Sequence, residues 1–169
     1  ADNVMMTVPP IPLNLDGRPS SSEIKTSTDH GAASIALVLA DGMGGHAGGD
    51  VASSIAITRM ERLDHPYASP PEAERALRDA ISETAVDLID TVEVRPELAG
   101  MGTTVSALVM VDDYAVIGHI GDSRIYLYRE GALTQITTYH TFVQRLVDSR
   151  RITPEEARYH PRRSVLMRV

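Results

Sequence analysis

The chain contains no cysteine, no tryptophan and a single phenylalanine. Without cysteine the protein can form neither a disulfide bond nor a thiolate metal site, which suits a reducing cytoplasm. With so few large aromatic side chains, we expect the core to consist of Ile, Leu, Val, Ala and Met. These absences predict a cytoplasmic protein with an aliphatic core.

Long hydrophobic runs and excess positive charge are also missing. No apolar run approaches the twenty or so residues that a membrane-spanning helix needs, and no signal-peptide pattern is present. Acidic residues outnumber basic ones by 23 to 16, which gives a formal net charge of -7. We therefore expect the protein to bind neither membranes nor nucleic acid, and to neutralise excess carboxylates with metal.

The composition that is present is typical of one globular domain. The 169 residues are 43% hydrophobic and 23% charged, which is enough apolar material for a real core. No internal repeat or low-complexity segment interrupts the chain. We therefore interpret residues 1–169 as one folded unit.

The sharpest signal lies in residues 34–50, where an apolar run ends in a carboxylate that glycines follow. Residues 35–40 are few and rich in branched side chains, which predicts a buried strand ending at Asp41. The glycines at 42, 44, 45, 48 and 49 allow sharp turns and leave the Gly42 carbonyl as a second hard oxygen ligand. We predict a magnesium or manganese site here, against the alternative of a turn with a solvated aspartate.

Hydrophobic periodicity predicts the elements on either side of this stretch. An edge strand is predicted over residues 2–8, and the prolines of residues 9–19 are expected to end it. One helix is predicted over about 50–63, and a longer one from Pro71 to Arg95. The apolar positions of the longer helix, which we expect to pack on a sheet, are Ala73, Ala76, Leu77, Ala80, Ile81, Thr84, Ala85, Leu88 and Ile89.

The pattern becomes extended from Gly102 onwards. The predicted strands cover residues 103–111, 114–120, 124–129 and 133–137. Their short separations are typical of an antiparallel meander, and two helices behind it indicate an α+β layered domain. Residues 141–149 and the capping box that begins at Thr153 predict a closing helical pair, which we interpret as an insert or flap.

Two further acidic residues stand where they could bind a cation. Asp122 lies in a tight turn between two predicted strands, where the alternative is a simple turn former. Asp2 lies in an extended segment, where the alternative is a solvated carboxylate.

Histidines and arginines offer further candidates. His46, inside the glycine loop, could donate to a phosphate or act as a general acid. His140 and His160 flank the helical insert and are predicted to be structural or to face substrate. A basic cluster near the end is either a solvated face or an aid to an anionic substrate. Its members are Arg158, Arg162, Arg163 and Arg168.

The same glycines also allow a nucleotide-binding alternative. Gly42, Gly44 and Ala47 match a loose dinucleotide fingerprint, and Glu61 follows about twenty residues later. Asp41 directly before the first glycine would repel a pyrophosphate, and the second half of the chain predicts antiparallel hairpins. Both features disfavour this alternative.

Four motifs, taken together in their order and spacing, strongly resemble bacterial metal-dependent serine/threonine protein phosphatases of type 2C. They are residues 40–49, 101–104, 121–124 and 152–157 with His160-Pro161. The resemblance implies an α+β fold with a central antiparallel β-sandwich flanked by helices. It also implies a small helical flap over residues 138–165, where His140, Arg162 and Arg163 are the candidates for substrate contact.

The resemblance also implies roles for individual residues. Asp41 would bridge two metal ions, the Gly42 carbonyl would bind one of them, and Asp122 would bind a third. Asp2 matches the acid of the amino-terminal motif, and His46 is a candidate for assisting the leaving group. The implied reaction is hydrolysis of phosphoserine and phosphothreonine by a water that two or three Mn²⁺ or Mg²⁺ ions activate. The implied partners are phosphorylated proteins, including a cognate Ser/Thr kinase.

The chain departs from the family pattern in three places. The family has a phosphate-binding arginine before the position of Asp2, and two more metal-binding aspartates beyond the position of Val169. Tyr139-His140 stands where Asp-His is common. We therefore expect residues 1–169 to be part of a catalytic domain that is weakly active or inactive alone, with a binding module for phosphorylated partners as the alternative.

Overall fold

The computed structural model describes residues 6–12 and 36–167, without the side chains of residues 6–12 and of His46. In chain order its strands and helices are β1 (Met6–Pro12), β2 (Ala36–Leu39), β3 (Gly42–Met43), α1 (Gly45–Met60), α2 (Pro70–Val94), β4 (Gly102–Thr103), β5 (Val105–Val111), β6 (Tyr114–Ile120), β7 (Tyr126–Arg129), β8 (Ala132–Gln135), α3 (Phe142–Asp148) and α4 (Pro154–Tyr159). Short 3-10 turns occupy Glu61–Leu63 and Pro96–Leu98.

Four antiparallel strands form the main sheet in the order β1-β6-β5-β2. The hairpin of β5 and β6 pairs over their full length, from Val105 with Ile120 to Val111 with Tyr114. Helix α2 packs on these two strands and on α1, and Arg59 of α1 forms ion pairs with two acidic residues of α2. The core lies between the helices and this sheet and is aliphatic apart from Tyr67, as the absence of tryptophan and the single phenylalanine predict.

Strand β1 runs further than the prolines predict. The prediction ended it at residue 8, but it continues to Pro12 along β6, with a register shift between Val8 and Ile11. An edge strand tolerates Pro9 and Pro10 because a residue without an N–H group does no harm at a bulge or on the outer edge. Residues 2–5, and Asp2 with them, lie outside the described residues.

Helix α1 begins at Gly45, five residues before the predicted start. Of the five glycines that follow Asp41, only Gly44 and Gly45 have the left-handed backbone that favours glycine, with φ of 111° and 79°. Gly48 and Gly49 are helical, and a Cβ on Gly42 would lie only 2.0 Å from the Gly49 carbonyl oxygen. The prediction that all five glycines form turns is therefore wrong, because Gly42 and Gly49 serve close packing of α1 against β3.

The predicted long helix is confirmed as α2, which ends before Arg95. Its first half buries the expected apolar side chains, and no residue of α2 after Thr84 is buried. Ile89, predicted to face the sheet, is 61% exposed because the helix continues past the packed region.

The prediction of one four-stranded meander is wrong, because the four segments do not all pair with one another in sequence order. Among the described strands, β7 and β8 pair only with each other, and β3 pairs with β4 in a separate two-stranded sheet. The predicted strand over 103–111 is interrupted at Thr104, whose N–H donates to the Asp41 carbonyl in the register that the pairs on either side share. After β6 the chain turns through Gly121, with φ of 115°, and leaves the sheet.

The predicted closing helical pair is confirmed as α3 and α4, and the two ends of this segment lie side by side. Thr141 bridges Leu166, and the Phe142 N–H donates to the Val165 carbonyl at 2.8 Å. The capping box predicted at Thr153 is also present, with Glu156 as its partner. Within the part of the chain that the structure describes, no helix combines the length and apolar composition that crossing a bilayer requires.

Candidate active site

Asp41 follows β2, and its backbone is held by Thr104. The Asp41 N–H donates to Thr104 Oγ1 at 3.1 Å, and the Thr104 N–H donates to the Asp41 carbonyl at 2.9 Å. The Asp41 side chain is exposed, and its carboxylate has no hydrogen bond or ion pair with residues 36–167. A rigid backbone thus presents a carboxylate whose oxygens are available to a ligand.

Gly42 lies in the narrow space between β4 and the first turns of α1. It pairs with Thr103, and its carbonyl oxygen is 2.9 Å from the point that a Cβ on Gly49 would occupy. Any side chain at either glycine would separate α1 from β3. The packing therefore determines where the Gly42 carbonyl stands relative to Asp41.

Asp122 lies in a turn that also contacts Thr104. A Cβ on Gly121 would lie 2.5 Å from Thr104 Cγ2, and Ser123 Oγ is 3.0 Å from Thr104 Oγ1. The Asp122 side chain is exposed, whereas Thr104 is 2% exposed. One buried threonine therefore joins the Asp41 segment to the Asp122 segment, a connection that sequence spacing did not predict.

The predicted flap residue His140 lies against the Asp122 turn. Its N–H donates to the Gly121 carbonyl at 2.8 Å, and its Nδ1 accepts from the Gly121 N–H at 3.2 Å. Burial lowers the pKa of His140, which favours the neutral ring that such an acceptor requires. The predicted contact of His140 with substrate stays a prediction.

Sequence reasoning assigned no role to His119, which stacks on His140 with ring centroids 5.3 Å apart. His119 is fully buried, and its Nδ1 is 2.9 Å from Ser106 Oγ. Burial, with a smaller effect from the neighbouring His140 ring, lowers the pKa of His119 to about 4. A polar residue inside the apolar run of β6 was the signal that could have identified it.

For the remaining predicted residues, the structure shows no contact with Asp41 that would support a role. Arg162 and Arg163 are exposed, and the Arg162 guanidinium lies over the Phe142 ring, 5.5 Å from its centroid. The backbone of His46 lies in the first turn of α1. Their roles, like that of Asp2, stay predictions.

The oxygen atoms at this site suit a hard divalent cation in kind. Among the described residues, no group of three or more histidines and acids is arranged to hold a metal ion. Asp41, Asp122 and the Gly42 carbonyl nevertheless offer the oxygen ligands that Mg²⁺ and Mn²⁺ prefer, and Mg²⁺ retains several waters. These residues therefore fit part of a metal site that other ligands would complete.

Comparison with known proteins points in the same direction. The family model of protein phosphatase 2C matches residues 17–157. Over 135 residues, 78% of this chain, the sequence is 49% identical to the serine/threonine protein phosphatase PstP of Mycobacterium tuberculosis and covers 26% of that protein. It is 37% identical over the same share to the serine/threonine phosphatase stp of Listeria monocytogenes, of which it covers 54%.

A solved structure also resembles the fold. The catalytic domain of the serine/threonine protein phosphatase PstP, in complex with two manganese ions, aligns with a TM-score of 0.67 and 38% identity. The alignment covers 97% of this chain and 66% of that one. The chain thus spans between about a quarter and two thirds of the length of these relatives.

Proposed function

The chain belongs to the protein phosphatase 2C family, and from this membership we propose that it is a metal-dependent phosphatase of phosphoserine and phosphothreonine in proteins. The observation that carries the proposal is the exposed Asp41 carboxylate at the end of β2. Thr104 holds its backbone and joins it to the Asp122 turn. A solvated turn aspartate has no need of such a support.

The metal ligands in this proposal are Asp41, the Gly42 carbonyl, Asp122 and Asp2, and the ions are two or three Mn²⁺ or Mg²⁺. When bound, such ions supply an activated water for attack on phosphorus and stabilise charge on the phosphoryl oxygens. The manganese complex of the PstP catalytic domain supports a divalent metal. His46 is proposed to donate a proton to the departing Ser or Thr oxygen.

The charge of the flap, residues 138–165, supports an anionic substrate. It carries six arginines against three acidic residues, although the chain as a whole has a net charge of -7. The arginines are Arg145, Arg150, Arg151, Arg158, Arg162 and Arg163, and all are exposed. We propose that this positive surface, with Arg162 and Arg163 in it, attracts phosphorylated segments of protein substrates.

The proposed partners are phosphorylated proteins and a cognate Ser/Thr kinase, so that the phosphatase opposes the kinase in signal transduction. Two relatives bear the name serine/threonine phosphatase, which supports this substrate class. The absence of cysteine supports a cytoplasmic location.

The deciding experiment is hydrolysis of a phosphothreonine peptide with and without manganese, on protein whose intact mass has been measured. We expect weak manganese-dependent activity, because the chain covers only part of the catalytic domain of its relatives, and Asp41→Asn should lower it by about 100-fold, since one removed ligand disrupts the metal site. The matched control is Asp113→Asn, an exposed aspartate at the opposite end of β5, which should keep full activity.

Equal activity in the two variants would refute the role of Asp41. If the wild-type chain hydrolyses nothing but binds manganese and the phosphopeptide, a phosphatase-like binding module replaces the enzyme as the function of this chain.

A further inference from the structure

The stacked pair His119 and His140 joins the end of β6, with the turn that follows it, to the start of the flap. His119 belongs to β6 in the main sheet, and His140 lies directly before the flap helices. Between them, Gly121 begins the turn that carries Asp122. Apart from the predicted contact of His140 with substrate, the roles given above use neither imidazole ring.

His140 forms hydrogen bonds with both backbone polar groups of Gly121, its carbonyl and its N–H. It donates through its own N–H to the Gly121 carbonyl and accepts the Gly121 N–H at Nδ1. The His140 carbonyl also accepts from the Met167 N–H at 2.9 Å, where the flap closes. A single residue therefore belongs both to the Asp122 turn and to the base of the flap.

His119 supports the His140 ring from the core. Its own orientation is set by Ser106 on β5, and its Nε2 has no hydrogen-bond partner among the residues described. The centroid distance of 5.3 Å and interplanar angle of 27° are those of stacked rings. Burial lowers the pKa of both rings, which favours their neutral forms and hence stacking without charge repulsion.

Gly121 has little freedom to adapt if this support is removed. Its φ of 115° and its contact with Thr104 leave no room for a side chain. A movement of Gly121 therefore reaches Thr104, which holds the Asp41 backbone.

We propose that His119 and His140 are positioning residues that hold the Gly121–Asp122 turn and the base of the flap as one mechanical unit. The proposal deepens the function proposed above, because Asp122 is a metal ligand only within that function. It assigns no proton transfer to either ring.

Two substitutions at His140 separate its ring from its hydrogen bond. His140→Asn places an amide oxygen near the position of Nδ1 and keeps an acceptor for Gly121, whereas His140→Phe keeps a stacking ring and removes the acceptor. We expect amide hydrogen exchange of Gly121 to become about tenfold faster in His140→Phe and to recover most of the way in His140→Asn. Exchange at Val109, in the core of β5, reports global unfolding and corrects for it.

The role of His119 is tested by His119→Ala, which removes the stacking ring and leaves the His140 side chain in place. We expect faster exchange at Gly121 and at the first amides of α3, beyond any change at Val109. Calorimetric titration with manganese should show several-fold weaker binding in His119→Ala and His140→Phe, with Asp122→Asn as the reference for loss of that ligand.

Unchanged exchange at Gly121 in both His140→Phe and His119→Ala would overturn the proposal. An exchange increase confined to Gly121, with α3 unaffected, would overturn the coupling to the flap. If the wild-type chain binds no manganese and hydrolyses no phosphopeptide, the proposed function fails, yet the exchange measurements still decide whether the pair holds the turn.

Discussion

Thr104 shows how a single buried hydroxyl can organise a site. Its hydroxyl accepts a hydrogen bond from the Asp41 N–H and lies within hydrogen-bond distance of Ser123 Oγ. It therefore contacts the ends of two strands at positions about eighty residues apart in the sequence. A buried hydroxyl of this kind is costly to leave without a partner, so both contacts are energetically supported. The two candidate metal ligands thereby share one anchor.

His119 leads to a pH prediction at the same scale. Its folded-state pKa, about 4, lies below its ordinary value of 6.5, so the unfolded chain binds the proton more readily. The contribution of His119 to the free energy of unfolding is therefore fully present above about pH 6.5. It is lost as the pH drops towards 4, by about 2 kcal/mol at pH 5. Urea unfolding at pH 7.5 and pH 5 measures this loss.

The variant His119→Phe provides the comparison, because phenylalanine keeps a ring that does not titrate. Its unfolding free energy should depend less on pH over the same interval. An identical pH dependence in wild type and variant would show that His119 does not cause the loss.

At the scale of elements, the glycines near Asp41 matter chiefly as contact points between elements. Helix α1 reaches β3 only because Gly42 and Gly49 have no side chains. The helix begins within the glycine-rich stretch, although glycine is a poor helix former. Tertiary packing outweighed propensity there.

Gly42→Ala tests this packing. The new methyl group would meet the Gly49 carbonyl oxygen at 2.0 Å, so we expect a loss of about 3 kcal/mol in unfolding free energy, and loss of manganese-dependent activity. Gly131→Ala is the control: it has a left-handed φ of 79° but open space around it, and should cost about 1 kcal/mol. Equal costs, measured by urea unfolding, would contradict the close approach.

At the scale of the whole molecule, charge is unevenly distributed. The flap is basic and the chain as a whole is acidic, so an anionic peptide meets attraction on one side and repulsion elsewhere. Salt screens the attraction between exposed charges, so the dependence of the reaction rate on salt concentration measures this attraction.

We expect kcat/KM for an acidic phosphopeptide to fall as added salt shortens the Debye length from about 30 Å to about 8 Å. The double variant Arg162→Gln, Arg163→Gln should have a lower kcat/KM at low salt, and its kcat/KM should fall less as salt is added. Arg95→Gln, at an exposed arginine that caps the C-terminal end of α2 and pairs with Glu97, should behave as wild type. The same salt response in both variants would exclude the flap as the source of attraction.

Much of the fold followed from the sequence alone, because helix and strand periodicity are local properties. The long helix α2, the hairpin of β5 and β6, and the capping box of α4 were all predicted from spacing within each segment. The α+β class and the protein phosphatase 2C family also followed, since motif order persists along the chain.

The tertiary structure alone decided which segments meet. Strand pairing depends on contacts between distant residues, so the separate β7–β8 sheet and the extension of β1 past its prolines left no periodic signal. The same holds for Thr104 between the Asp41 and Asp122 segments and for His119 beneath His140. The sequence by itself identified the residues that we propose bind metal, and only long-range packing determined what holds them in place.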